Sequence, residues 1–308
     1  MKKFSILAAI VMMLAMPALC QAKEILFKAG TGSVTYTCQC EPFKGRIVEI
    51  YYHIPEGKIA RMPVQFVMHG DNRNGDGYRD AWIKKSNEYG FVTICPNFAK
   101  NIFDDEEYHR GNVLAADKTQ NPKDLYVYNV IDEIFDFFLA HSESKAKTFN
   151  IYGHSAGGQF VHRFLTFRGG ARIGTAVSAN AGWYTIPTDE IKFPYGTGDP
   201  SGKTKGFTYD KKSFYAAPLT ILLGTADTLR TANLNQSKRA DKQGLTRLAR
   251  GNNYYNLCKA DAEKLGYQFN WKIEYVEGVG HSNKKMGPAA ADLIYGKKCK
   301  GCSKCGKH

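Results

Sequence analysis

The sequence lacks a second long hydrophobic run, an internal repeat, a low-complexity linker and a nucleic-acid-binding motif. Beyond its amino terminus no stretch approaches the ~20 apolar residues that a membrane span requires, so no integral membrane span is expected. Without a linker or repeat, the chain is predicted to form one large domain. The net charge is +13, but the basic residues are spread along the chain, so no nucleic-acid partner is predicted.

The amino terminus has the pattern of a secretory signal peptide. Lys2 and Lys3 precede an apolar run over 4–16, and a small-residue stretch over 18–22 follows Pro17. The predicted protein is therefore secreted or periplasmic, with a lipoprotein anchored through Cys20 as the alternative. Loss of the two lysines leaves 40 basic against 29 acidic residues, a net charge of +11. This positive charge could attract anionic polymers or acidic substrates. The alternative interpretation is that the basic residues only form a solvated surface. The predicted segments are a signal peptide (1–22), a single domain (23–296) and a Lys/Cys-rich tail (297–308).

The number of cysteines falls from eight to seven when the predicted signal peptide, which contains Cys20, is removed. An exported protein is expected to form disulfides, whose connectivity the sequence leaves open, and one thiol must stay unpaired or pair between molecules. Three of the cysteines and His308 form C-x-x-C-x-x-C-x-x-H in the tail, which supplies zinc-type ligands. A disordered or disulfide-linked tail is the preferred interpretation, so no metal is predicted. The seven cysteines are Cys38, Cys40, Cys95, Cys258, Cys299, Cys302 and Cys305.

Apolar strand-like runs alternate with segments of helical periodicity along most of the chain. This alternation predicts an α/β fold with a mostly parallel, doubly wound sheet and antiparallel amino-terminal strands. The segment 185–214 is rich in Gly, Pro and aromatic residues without a period, and is predicted to be an inserted cap or lid loop. Predicted strands are 24–36, 45–54, 64–68, 91–95, 147–152, 173–179, 218–223 and 270–276; predicted helices are 78–89, 124–141, 245–265 and 289–295, with one more after residue 155.

One strand ends in the pattern G-x-S-x-G, from Gly153 to Gly157. Such a pattern predicts a nucleophile elbow, in which Ser155 projects from a sharp strand-to-helix turn. The flanking glycines allow the backbone to bend, and Ala156 N–H would point at the same place from the first turn of the helix. Ser155 is the candidate nucleophile.

Two further predicted strands end in short turns that carry Asp227 and His281, in the order Ser, acid, His. Asp189 and Asp199 are alternative acids, but both lie in the predicted lid and not after a strand. The His69-Gly70 pair ends another predicted strand, so the next backbone N–H, of Asp71 or Asn72, is the candidate second oxyanion donor.

The sequence resembles the α/β-hydrolases, and more narrowly the secreted esterases grouped with polyhydroxybutyrate depolymerases, feruloyl esterases and acetylxylan esterases. The resemblance extends from Pro63 to Tyr295 and rests on the H-G pair, the G-x-S-x-G elbow and the turns around Asp227 and His281. It implies an α/β-hydrolase fold and acyl transfer by a Ser155–His281–Asp227 triad without a cofactor. Depolymerase-like relatives tend to have a cysteine after the H-G pair, where this sequence has Asp71.

Aromatic side chains in the predicted site loops suggest a sugar-linked or phenolic ester as substrate. The predicted substrate-binding residues are Trp183, Tyr184, Trp82 and His69, with Tyr195 and Phe193 nearby, although several could be lid core. The preferred substrate is a small-molecule or polysaccharide-linked ester, such as an acetyl or feruloyl ester. The alternatives are a polyester depolymerase or serine peptidase with the same triad, and a non-catalytic envelope binding protein on this scaffold.

Overall fold

The computed structural model describes residues 24–296, and an eight-stranded sheet forms its centre. The order across the sheet is β1-β2-β4-β3-β5-β6-β7-β8, in which β1 and β2 are antiparallel to their neighbours and the others are parallel. This architecture confirms the predicted α/β-hydrolase fold. The predicted signal peptide and the Cys/His tail lie outside the described residues. The strands are β1 (Gly30–Thr37), β2 (Ile47–Ile54), β3 (Val64–Met68), β4 (Val92–Asn97), β5 (Phe149–His154), β6 (Ile173–Ala179), β7 (Leu219–Gly224) and β8 (Lys272–Val276).

Helices cover both faces of the sheet, and none in the described part of the chain is long and apolar enough to cross a membrane. The two faces follow from the alternation of side chains along each strand. On β3, Phe66 packs in the core cluster that contains residues of α4, α5 and α8, whereas Val67 packs with Trp82 and Met286 on the other side. The helices are α1 (Gly75–Asp80), α2 (Ile83–Tyr89), α3 (Asp105–Tyr108), α4 (Tyr128–Ala140), α5 (Ala156–Phe167), α6 (Lys211–Ala216), α7 (Lys238–Asp241), α8 (Arg247–Leu265) and α9 (Asn283–Tyr295).

Two helices differ from their predicted bounds for reasons of packing. The predicted helix 78–89 is divided into α1 and α2, because the chain tightens at Trp82, whose N–H donates to Arg79 O at 3.0 Å while its side chain is fully buried. Helix α9 begins six residues before Ala289 and continues through Pro288. Proline removes one helical donor, but Met286 and Ala290 on either side of it are fully buried and hold the helix against the sheet.

The acidic run 104–107 lies in a segment predicted to be a loop, yet it forms α3. Asp104 and Glu107 form a reciprocal capping box, with N–H to carboxylate distances of 2.9 and 3.0 Å. Glu107 also binds Arg46 at 2.8 Å, and Asp105 binds Arg73 at 2.9 Å. The run is therefore a set of specific caps and ion pairs rather than a merely solvated face.

The predicted lid segment folds as an ordered loop until α6 begins at Lys211. Isolated bridges join Ile186 to Gly196 and Gly198 to Gly206. Gln243, which follows α7, clamps the start of the segment: its Oε1 accepts from Tyr184 N–H at 2.8 Å and its Nε2 donates to Tyr184 O at 2.7 Å. The lid is thus tied to the helical region that follows β7.

Within residues 24–296 the four cysteines are free thiols, so the predicted disulfides are not found there. Cys95 and Cys258 are buried, and burial raises the pKa of both thiols well above the usual value. Burial, reinforced by the carboxylate of Glu133, raises the pKa of Cys38 and of Cys40 to about 12. These thiols stay protonated at neutral pH and are poor nucleophiles.

Candidate active site

Ser155 occupies a strained turn between β5 and α5. Its φ of 60° and ψ of −118° lie in a region that side-chain-bearing residues rarely adopt. Gly153 and Gly157 allow this turn, because a Cβ on Gly153 would collide with Gly157 O and one on Gly157 with Met68 O. The backbone is held by Ser155 N–H, which donates to Ala179 O at 3.0 Å. The predicted elbow geometry is present.

The turns after β7 and β8 bring an acid and a base to this serine. His281 Nε2 lies 3.0 Å from Ser155 Oγ, and His281 Nδ1 lies 2.8 Å from Asp227 Oδ2. Asp227 is almost completely buried, whereas the side chain of His281 is partly exposed. The two turns are joined by backbone hydrogen bonds, including Ala226 N–H to Val279 O at 3.0 Å. The structure therefore assembles Ser155, His281 and Asp227 in the geometry of a nucleophile, a base and an orienting acid.

The alternative acids lie elsewhere. Asp199 accepts hydrogen bonds from Ser201 Oγ and Thr204 N–H inside the lid, and Asp189 accepts from Thr197 Oγ1. Neither has a recorded contact with His281.

The loop after β3 lies beside the serine, since a Cβ on Gly70 would be 3.8 Å from Ser155 Cβ. Asp71 lines the same cleft as Ser155 and Ala156, whereas Asn72 is exposed and does not line it. Among the described residues no protein acceptor is recorded for Asp71 N–H or Ala156 N–H. These two N–H groups are the candidate oxyanion donors, with Asp71 favoured over Asn72.

His69 does not contact the cleft, so its predicted substrate-binding role is wrong. The ring is fully buried and stacked on Tyr108, its Nδ1 lies 3.0 Å from Gly70 O, and its Nε2 accepts from Phe98 N–H at 3.0 Å. Burial lowers the pKa of His69 to about 3, so the ring is neutral. Its hydrogen bonds hold the loop that carries Asp71.

An open cleft of about 290 Å³ lies above Ser155 and is lined by polar and apolar groups in about equal measure. Trp183 lines it as predicted, with Arg163 stacked on its ring at 4.0 Å. The predictions for Trp82 and Tyr184 are wrong. Trp82 is fully buried among Phe91 and Tyr152 on a helix-covered face of the sheet, and Tyr184 is fully buried against Tyr254. The lining residues are Asp71, His109, Ser155, Ala156, Gln159, Gly182, Trp183, Ala232, Asn233, Leu234 and Asn235.

Two solved structures are similar to this one over nearly the whole described chain. Poly(aspartic acid) hydrolase-1 from Sphingomonas sp. KT-1 has 37% sequence identity and a TM-score of 0.80, with 87% of this chain and 100% of that chain covered. The poly(3-hydroxybutyrate) depolymerase LpqC from Bordetella parapertussis has 30% identity and a TM-score of 0.81, with 87% and 90% covered. The chain belongs to the α/β-hydrolase superfamily.

A more distant likeness extends to an S-formylglutathione hydrolase from Agrobacterium tumefaciens, with 15% identity, a TM-score of 0.53, and 88% and 97% of the two chains covered. At this identity the likeness concerns the fold alone. Comparisons with protein-family models and with curated proteins gave no match.

Behind the triad of this α/β-hydrolase lies a buried cation that sequence patterns did not reveal. Arg247, the first residue of α8, places Nη1 3.4 Å from Asp227 Oδ1 and donates from Nη2 to Asn233 Oδ1 at 3.0 Å. Both charged side chains are almost completely inaccessible. Arg247 thus connects the acid to the loop that forms one wall of the cleft. It lies outside every strand-end turn, so no motif draws attention to it.

His154, directly before the serine, packs its ring 4.5 Å from the ring of His281. Its Nδ1 is hydrogen-bonded to Tyr78 OH at 3.1 Å, and burial lowers its pKa well below the usual value. The ring is therefore a neutral packing partner of the candidate base and does not point toward the cleft, whose lining it does not join.

Three side chains beside the oxyanion loop have the atoms of a metal site. The ligand atoms of Asp71, Asp105 and His109 lie within 4.8 Å of one another. Arg73 Nη2 already binds Asp105 at 2.9 Å, and His109 Nε2 lies 3.1 Å from Asp71 Oδ1. Arg73 therefore neutralises Asp105, and the cluster ties the end of α3 to the loop that carries Asp71.

Proposed function

We propose that this protein is a serine hydrolase that cleaves carboxylic esters through an acyl-enzyme. The observation that carries the proposal is the continuous set of contacts from Ser155 Oγ through His281 to Asp227, at 3.0 and 2.8 Å. A Ser side chain is a weak nucleophile unless an oriented base removes its proton, and this set supplies both the base and its orientation.

The mechanism follows from these contacts. His281 Nε2 takes the Ser155 Oγ proton as the oxygen attacks the carbonyl carbon, and Asp227 stabilises the resulting imidazolium. The Ala156 and Asp71 N–H groups bind the oxyanion, assisted by the positive end of the α5 dipole. His281 then protonates the leaving alcohol, and a water molecule activated by the same ring releases the acid.

For the substrate we propose a polar ester, such as an acetyl or feruloyl group linked to a glycan. Five aromatic side chains favoured a sugar-linked ester. Trp82, Tyr184 and Phe193 are buried in the core and Tyr195 does not line the cleft, so Trp183 alone supports a stacking contribution. The proposed glycan-linked ester is supported mainly by the polar side chains that line the cleft, among which Gln159, Asn233 and Asn235 offer hydrogen bonds to hydroxyl-rich groups. A polyester remains the alternative, supported by the name of the depolymerase relative.

A second candidate activity is hydrolysis of the amide backbone of an acidic polymer. The relative with 37% identity is named a poly(aspartic acid) hydrolase, and the net charge of +13 in this chain suits a polyanion. The same triad serves amides and esters, so only substrates distinguish the two activities. We also propose that the protein acts outside the cytoplasm, on the signal-peptide pattern of its first 22 residues.

The test is a substrate panel with active-site variants. Purified protein is assayed on short-chain p-nitrophenyl esters, feruloylated and acetylated glycans, poly(3-hydroxybutyrate) and poly(aspartic acid). Ser155→Ala and His281→Ala should each lower kcat/KM by ~10⁴-fold or more, since the members of a triad act as a unit. Ser33→Ala, an exposed strand residue, is the control. Folded protein that cleaves nothing in the panel and resists a fluorophosphonate at Ser155 would instead support the non-catalytic binding protein.

A further inference from the structure

Helix α5 carries, behind the nucleophile, a buried cation without a counter-charge. Arg163 is fully buried. Its Nε donates to Thr185 Oγ1 at 2.7 Å and its Nη1 to His109 O at 2.5 Å, but its Nη2 has no hydrogen-bond partner. In the described part of the chain no carboxylate forms an ion pair with it.

The other buried arginines differ in this respect. Arg73 pairs with Asp105 at 2.9 Å, Arg250 with Asp241 at 2.9 Å, and Arg247 with Asp227 at 3.4 Å. A buried charge without a partner is costly, so this position stands out from its neighbours. Burial lowers the pKa of Arg163 to about 9, which leaves the guanidinium charged at neutral pH.

The contacts of Arg163 place this charge directly beneath the cleft. Its guanidinium stacks 4.0 Å from the Trp183 ring centre and donates to the backbone carbonyls of His109 and Gln159. All three of these residues line the cleft above Ser155. Gln159 lies about one helical turn, ~6 Å, beyond the serine along α5, and Arg163 lies a further turn along the same helix.

The other charges of the cleft favour an anion at this end. Asp71 is the carboxylate of the lining, and it lies at the oxyanion end with His109 Nε2 at 3.1 Å. Arg110, close enough to Arg163 to affect it electrostatically, adds a second positive charge, although it pairs with Glu106. A negative group of the substrate is therefore expected several bonds away from the scissile carbonyl, on the Gln159 side.

We propose that Arg163 and Gln159 form a carboxylate-binding subsite, so that the preferred acyl group carries a free carboxylate a few bonds from the scissile carbonyl. The Gln159 side-chain amide donates to the carboxylate at the cleft surface, and the guanidinium beneath it compensates the charge. This inference rests on the proposed acyl hydrolysis and names the chemistry that the site selects.

The test compares two p-nitrophenyl esters of equal acyl length, one ending in a carboxylate and one in a methyl group. The ratio of their kcat/KM values, charged over neutral, is measured on each preparation, so it does not depend on the fraction folded. Wild type should prefer the charged ester about tenfold or more. Arg163→Met should lower this ratio at least tenfold, Arg163→Lys should retain most of it, and Gln159→Leu should lower it less than Arg163→Met.

Arg250→Met is the matched control, because Arg250 is an equally buried arginine that already has a carboxylate partner; it should leave the ratio unchanged. A wild-type ratio near one, or an unchanged ratio in Arg163→Met, overturns the proposal. Failure of the proposed function is a separate result, namely no turnover of the neutral ester. In that case binding decides between the two outcomes. Glutarate should raise the melting temperature of the Ser155→Ala protein more than valerate, its methyl-ended counterpart of equal length, and Arg163→Met should abolish the difference. Equal shifts for the two acids overturn the subsite.

Discussion

At the scale of single residues, the least expected feature of the triad is the buried guanidinium next to its acid. Asp227 uses Oδ2 for His281 and faces Arg247 with Oδ1. The charged and titratable groups around His281 are Asp227, His154 and, across the acid, Arg247. A positive charge there opposes the imidazolium that forms during proton transfer, while it keeps the carboxylate oriented. Arg247 is therefore a positioning residue whose removal should be visible in kcat.

The corresponding prediction concerns Arg247→Met. Loss of the cation should lower kcat about tenfold, because Asp227 then loses a partner that holds its carboxylate in orientation. KM should also rise, since Asn233 loses its donor. Arg247→Lys should restore most of kcat. Arg250→Met tests general destabilisation and should leave kcat unchanged; an unchanged kcat in Arg247→Met would reduce this residue to a structural role.

At the scale of elements, the position of a strand was predictable from the sequence where helices cover both faces of the sheet at that strand. The bounds of β3 agree with the sequence, because this strand is buried on both faces and is a nearly continuous apolar run that ends at turn residues. The bounds of β6 also agree. Aromatic side chains near the site were not predictable in this way. Trp82 is the same residue type as Trp183, and Tyr184 is its neighbour in sequence, yet packing against α2 and α8 places the first two in the core.

The lid provides an element-scale prediction. Gln243 makes two hydrogen bonds to the backbone of Tyr184 and a longer one, 3.4 Å, to Tyr195 O. Gln243→Leu keeps the volume but leaves the Tyr184 groups unsatisfied, which should cost about 1–3 kcal/mol of stability. The lid should then be cleaved faster in limited proteolysis and KM should rise. Gln268→Leu, at an exposed position, is the control, and equal cleavage rates in the two variants would show that the clamp is not what orders the lid.

At the scale of the whole molecule, the order Ser, acid, His after successive strands was enough to predict the superfamily and the fold. Parallel strands deliver their carboxyl ends to one edge, so residues 126 positions apart, Ser155 and His281, meet at 3.0 Å. What the sequence could not reveal are partners that belong to no strand end, such as Arg247 and Arg163, since a buried arginine looks like any surface arginine until the fold is known.

The final prediction concerns acid stability and follows from three buried histidines, His69, His154 and His162, and one partly buried histidine, His109. Burial lowers the pKa of His69 to about 3 and of His109 to about 4, and lowers that of His154 and His162 well below the usual value. In the unfolded chain these rings titrate near ~6.5, so between this value and the folded pKa the unfolded state binds more protons. Stability is therefore fully present above about pH 7 and falls as the pH is lowered below about 6.5.

Each such histidine contributes at most about 1.4 kcal/mol per pH unit, so the four together contribute at most about 5.6 kcal/mol per pH unit, against a total stability of about 5–15 kcal/mol. Urea unfolding at pH 7.5, 6.5, 5.5 and 4.5 should thus show a steep loss before the carboxylate ion pairs begin to titrate. His162→Gln, which removes one ring bound to Gly158 O and Thr185 N–H, should reduce the slope by about one proton, even though it lowers stability at pH 7.5. Gln268→Leu should keep the wild-type slope. Equal unfolding free energies at pH 7.5 and 5.5 would mean that these rings accept protons without leaving their buried positions.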